Sequence, residues 1–148
     1  MKGNLIMEKR DTWDEYFMKI AEQVATRATC DRKHVGAVFV NDFKHILSTG
    51  YNGAMAGLKH CDEVGHMMED SHCVRVVHAE CNGICQAARN GISLNNSTCY
   101  ITLFPCWSCF KLMVNSGVKR VVYGEFYQDS HVMETAKELG ISVEKLNG

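Results

Sequence analysis

The sequence predicts an α/β fold three layers deep (αβα), with helices on both faces of a five-stranded mixed sheet. Three observations predict it. Two short β-rich runs within residues 35–50 lie close enough to form a hairpin. From residue 79 onward, helical and strand patterns alternate. Each helix of that half stops at a glycine: Gly91, Gly117 or Gly140. Strands that alternate with helices pair in parallel through right-handed crossovers, and the opening hairpin adds the antiparallel part.

The elements follow in order. "DTWDEYFMKIAEQVATRA" places Trp13, Tyr16, Phe17, Ile20 and Val24 on one helical face, with Thr12 and Glu15 as a capping box at its start. "VGAVFVN" and "KHILSTG" are the two hairpin strands. A loop of 27 residues, Tyr51 to Val77, is rich in Gly, His, Asp and Met. Loops of that length inside a compact domain are usually functional or disordered. A helix over 79–90 follows, then the strand "TCYITLF" and a helix over 106–115. "VKRVVYG" is a strand, "HVMETAKEL" a helix and "ISVEKL" the last strand. No repeat or linker divides the chain, so residues 1–148 read as one domain.

Composition narrows the function classes. The formal net charge of −1 argues against binding to long nucleic acid, which favours a strongly basic face. One or two arginines still suffice for a single phosphate. The N-terminus lacks the apolar run of a signal peptide, and no stretch is long and apolar enough to span a bilayer. The expectation is a cytoplasmic protein without a membrane partner. Its eight cysteines then read as thiols or metal ligands rather than as a disulfide framework.

Two of those cysteines stand in "LFPCWSC". Pro105 ends a strand, which puts Cys106 and Cys109 on the first turn of the next helix, three apart and on one face. The positive end of the helix dipole favours thiolates there. Taken alone, the pair suits a redox couple and a zinc half-site equally well. "VHAEC" decides between them. His78 and Glu80 open the preceding helix, whose N-terminus emerges at the same end of the sheet. One imidazole and two thiolates give zinc three ligands and leave one position open, the pattern of a catalytic rather than a structural site. Glu80 lies roughly 200° around the helix from His78, so it is a proton carrier for the zinc-activated water rather than a ligand. H-x-E followed by P-C-x-x-C matches the signature of zinc deaminases, which attack the amino-bearing carbon of a nucleobase.

Nearly the whole chain, from "WDEYFMKIA" to "AKELGISVE", resembles the deoxycytidylate deaminases of the cytidine deaminase fold. The resemblance rests on "TCDRKHVGAVFV", "STGYNGAMAGLKHCDE", "HCVRVVHAECNGI", "TLFPCWSCFKLMVNSGVKRVVY" and "YQDS". It implies conversion of dCMP to dUMP, the precursor of thymidylate. It also implies substrate contacts at Arg32 and Tyr127 towards the phosphate, at Asn52 towards the sugar, and at Ala79 within the metal motif. Read from the residues alone, Arg32 is as readily a solvated loop arginine, and Asn52 in "GYNG" an ordinary turn residue.

Members of that family are commonly homohexamers, activated by dCTP and inhibited by dTTP with Mg2+ on the triphosphate. By that resemblance Gly53, Asn82, Gln86 and Arg89 are the effector contacts. By periodicity, Asn82, Gln86 and Arg89 form a polar stripe opposite Cys81, Ile84, Cys85 and Ala88. Gly83 stands where relatives usually carry alanine, which implies close packing of a ligand or a neighbouring subunit. The long loop also holds His60, Cys61, His66, His72 and Cys73, which with Cys30 supply donors for a second zinc or are simply local polar groups and thiols. The competing functions are a tRNA adenosine deaminase, which tends to carry more positive charge, and a non-catalytic zinc or thiol module, in which Glu80 has no task.

Overall fold

The computed structural model describes residues 9–30, 33–127 and 129–148. Along the chain the elements are α1 (Trp13–Ala25), β1 (Gly36–Val40), β2 (Ile46–Tyr51), β3 (Gly53–Ala54), α2 (Cys61–Val64), β4 (Met68–Glu69), β5 (His72–Cys73) and β6 (Val76–Val77). The second half runs α3 (Ala79–Arg89), β7 (Ser97–Leu103), α4 (Trp107–Ser116), β8 (Val118–Glu125), α5 (Ser130–Leu139) and β9 (Ser142–Lys145).

Five strands form the central sheet in the order β2-β1-β7-β8-β9. β1 is antiparallel to both β2 and β7, whereas β7, β8 and β9 run parallel, as the helical crossovers require. Residues alternate between the two faces with period two. Val38 and Val40 of β1, Tyr100 of β7 and Val122 of β8 pack with Phe17, Met18 and Ala21 of α1. Their neighbours Ala37, Phe39, Cys99, Ile101, Val121 and Tyr123 face the other way, into the core shared with α3, α4 and α5. The sheet is thus the middle of three layers.

The capping box of α1 is formed: Glu15 donates its N–H to Thr12 Oγ1, and Thr12 donates its N–H to Glu15 Oε1. The apolar face of α1 is rotated from the expected one. Phe17, Met18, Ala21 and Ala25 are buried, while Trp13 and Tyr16 are about half exposed, Trp13 stacked on Phe17 and Tyr16 edge-on to it. Small Ala21 and Ala25 let the helix approach the backbone of β1 at Gly36, and the flat aromatics spread outside.

The segment from Tyr51 to Val77 is not structureless. β3 pairs with β6, β4 pairs with β5 around Asp70 and Ser71 in positive φ, and α2 lies between. Each piece is too short to leave a periodic pattern in the sequence.

α3 approaches the sheet at two glycines. A Cβ on Gly50 would lie 2.2 Å from the carbonyl oxygen of Ala79, and one on Gly83 would lie 2.4 Å from Phe39 Cε1. Gly83 therefore meets Phe39 inside the chain, which corrects the expectation of a ligand or a subunit there. The buried face of α3 is Ala79, Glu80, Gly83 and Ala87, whereas Cys85 and Ala88 are exposed. The expected apolar stripe was displaced because glycine and alanine, not the larger residues, mark the contact.

Candidate active site

α3 and α4 each begin with a residue that does not cap its own helix through its side chain. His78 is the N-cap of α3 and Cys106 the N-cap of α4, both with extended backbone and no capping bond. Their side chains point instead at one another. His78 Nδ1 lies 3.6 Å from Cys106 Sγ and 3.2 Å from Cys109 Sγ. The three donor atoms all fall within 4.8 Å of each other, with His78 exposed, Cys106 half-buried and Cys109 buried. Tetrahedral zinc, with bonds of about 2.1 Å to nitrogen and 2.3 Å to sulfur, sets such atoms roughly 3.6 Å apart. The donor set and its spacing fit zinc.

The electrostatics follow from the close packing. Cys106 is drawn down to about 4 by the Cys109 thiol and by His78, against the cost of its burial. Cys109 is pushed up by its bonds to Cys106 and Cys81 and by its burial. His78 is raised to about 9, chiefly by its bond to Cys106. Glu80, on the first turn of α3, is 4% exposed, and burial pushes its carboxyl up to about 7 against the pull of His78. A carboxyl that exchanges its proton near neutral pH suits a proton carrier.

His78, Glu80 and Cys106 line a cavity of about 720 Å³ together with Ala79, Asn52 and Tyr127. Its other walls come from Lys33 and Val35 before β1, from Cys73, Val74 and Val76 in the long segment, and from Leu103 and Phe104 after β7. Asn52 is buried. Its Oδ1 accepts the N–H of Val35 at 2.8 Å, and its Nδ2 donates to the carbonyl of Lys33 at 2.6 Å. Arg32 lies outside the described residues.

The four expected effector residues sit differently. Gly53 is buried in the β3–β6 pair opposite Val77. Asn82 donates to the carbonyls of Tyr51 and Val77, tying α3 to the long segment. Gln86 and Arg89 are exposed on α3.

Two residues near the metal cluster were missed in the sequence. Cys81 Sγ lies 3.4 Å from Cys109 Sγ, because the first turn of α3 rotates it towards α4 rather than onto an apolar face. Asp129 Oδ2 accepts the N–H of Trp107, the first residue of α4, at 3.0 Å, while Asp129 also caps α5 through Val132. An Asp ahead of a helix signals only its own cap, so the second bond had no local signature.

A second donor cluster lies at the neighbouring wall. Cys30, Cys61 and His66 bring their donor atoms within 4.8 Å of one another, and Cys73 Sγ stands 3.6 Å from Cys61 Sγ. Burial pushes Cys61 up to about 11, with Cys73 adding to it. Cys73 is drawn down to about 6 against its burial, by the backbone of Arg75 and Met67. His60 stands apart as the N-cap of α2, and the His72 side chain lies outside the described structure.

The family model described as the cytidine and deoxycytidylate deaminase zinc-binding region matches residues 11–125. ComE operon protein 2 of Bacillus subtilis is 38% identical over 139 residues, covering 93% of this chain and 73% of its own. The deoxycytidylate deaminase of Mycobacterium phage D29 is 39% identical over 126 residues, covering 77% of this chain and 95% of its own. A crystal structure of the dCMP deaminase from cyanophage S-TIM5, in complex with dCMP and dUMP, superposes with a TM-score of 0.80 at 31% identity, covering 94% of this chain and all of that one.

Proposed function

We infer that this chain, which belongs to the cytidine and deoxycytidylate deaminase family, hydrolyses dCMP to dUMP and ammonia. One observation carries the reading: the donor atoms of His78, Cys106 and Cys109 converge from two helix N-termini beside the buried Glu80, in a cavity of about 720 Å³.

His78, Cys106 and Cys109 hold the ion. Zinc bound there supplies a Lewis acid that makes water nucleophilic near neutral pH. Glu80 takes one proton of the attacking water at its carboxylate and delivers it to the ring nitrogen of the base. It then takes the remaining proton of the added hydroxyl and passes it to the departing amine, which leaves as ammonia. Asn52 and Ala79 orient the nucleotide, and Arg32 and Tyr127 meet its phosphate. Wild type should release ammonia from dCMP. Glu80→Gln should retain zinc yet lose about a hundredfold to ten-thousandfold in rate. Retained turnover in Glu80→Gln, or no ammonia from the wild type, would sink the reading.

The finer features belong to the same proposal. The chain works as one domain in the cytoplasm, where its dUMP feeds thymidylate synthesis. It assembles as a homohexamer, which the exposed Met55, Leu58, Met67 and Met68 support. dCTP activates and dTTP inhibits, each with Mg2+ on its triphosphate, through Gly53, Asn82, Gln86 and Arg89. Arg89→Glu should then blunt the response to both nucleotides. Cys30, Cys61, His66 and Cys73 hold a second, structural zinc, a closed set of four donors.

A further inference from the structure

We propose that Lys33 joins the phosphate contacts already assigned to Arg32 and Tyr127 and strengthens the pocket's selection of a phosphorylated nucleotide over the bare nucleoside, and that Glu125 holds its ammonium until the phosphate arrives. The inference rests on the reading of the pocket as a nucleotide site.

Apart from His78, Lys33 is the one cationic side chain among the described residues that line the cavity. Val35, Val74, Leu103 and Phe104 cannot neutralise a phosphate, which carries about −1.5 to −2 charges near neutral pH. Lys33 Nζ instead sits 3.2 and 3.4 Å from the two carboxylate oxygens of Glu125.

The pair is anchored at its backbone and loose at its charged ends. Asn52 Nδ2 fixes the carbonyl of Lys33, and its Oδ1 fixes the next-but-one residue, Val35. Glu125, the last residue of β8, is opposite Leu103, and its carbonyl accepts the N–H of Phe104 at 2.8 Å. Both residues are therefore tied to walls of the cavity. Their side chains, however, are 49% and 65% exposed. An ion pair so open to water is worth only about 0–1 kcal/mol, so an arriving dianion readily displaces the carboxylate. Lysine suits this exchange, being a point charge with three donors on a flexible stem. A nucleoside gains nothing from the exchange and leaves the pair closed. Glu125 meanwhile opposes any anion at this rim, and so sets how strongly a phosphate must bind to enter.

The test measures kcat/KM and calorimetric Kd for dCMP and deoxycytidine in wild type, Lys33→Met, Lys33→Arg, Glu125→Gln and the Lys33→Met/Glu125→Gln double variant. Lys33→Met should lower the dCMP-to-deoxycytidine preference about tenfold, in both readouts, and Lys33→Arg should retain most of it. Glu125→Gln should raise the preference, and that gain should vanish in the double variant. A folded Lys33→Met with unchanged preference would overturn the proposal, as would a Glu125 effect that survives without Lys33. Wild type that prefers dCMP in binding but does not deaminate it would refute the enzymatic reading and leave this one standing.

Discussion

Asp129 accepts the backbone N–H of Trp107 and so caps the helix whose own N-cap residue, Cys106, is turned to the metal cluster. A helix start that commits its cap side chain to a ligand leaves N–H groups without a partner. A carboxylate from the next helix supplies one, and its charge also complements the α4 dipole.

Asp129→Ala should therefore loosen the zinc half-site through the backbone of α4. The expected loss is about 1 kcal/mol of stability, with faster zinc transfer to a colorimetric chelator. Asp129→Asn should recover part of both. Unchanged zinc release in Asp129→Ala would mean that α4 holds its geometry unaided.

Gly83→Ala places a methyl group 2.4 Å from the ring of the fully buried Phe39. Overpacking of this kind costs roughly 1–3 kcal/mol, against a gain in helix propensity of about 1 kcal/mol. Thermal melting should show a net loss. Phe39→Leu should cost less in the Gly83→Ala background than alone, since it removes the obstacle.

Asp14 receives two hydrogen bonds from Arg120 and one from Tyr100, linking α1 to β7 and β8, while Arg120 also pairs with Glu144. The Arg120 guanidinium holds the Asp14 carboxyl below its ordinary value of 3.8, against partial burial. A lowered native value means that the stabilisation is complete above 3.8 and is lost as pH falls through the native one. Denaturation followed between pH 5 and pH 2 should show a steeper fall for wild type than for Asp14→Asn. The variant should be weaker at neutral pH by on the order of 1 kcal/mol.

Metal analysis should find about two zinc ions per chain by the four-donor rule for closed sites and the three-donor rule for open ones. Cys61→Ser should bind one and melt earlier, whereas Cys109→Ser should lose the other together with ammonia release. One zinc in wild type would remove the second site.

The sheet and its helices were legible because each carried its own period and the later helices a glycine stop, and the convergence of His78, Cys106 and Cys109 because two short motifs fell at helix starts. The positions that escaped depend on distant parts of the chain. Cys81 looked like one more small apolar residue until α4 came alongside, and an Asp just ahead of α5 carries no local sign of its bond to α4. The orientation of α1 was misread because Trp13 and Tyr16 are large and apolar, yet the sheet demanded the small Ala21 and Ala25. Lys33 drew no notice in the sequence because it meets Glu125 across 92 positions.

Contact between α3 and β2 at Gly50 leaves no room for even one added methyl group. The carboxylate and imidazole carried by that helix thus stand at a fixed height above the strands. The wall from Cys73 to Val76 runs between two short two-stranded ladders, away from that contact. Reshaping this pocket for a bulkier base would have to start on that wall, because the other side is already in hard contact.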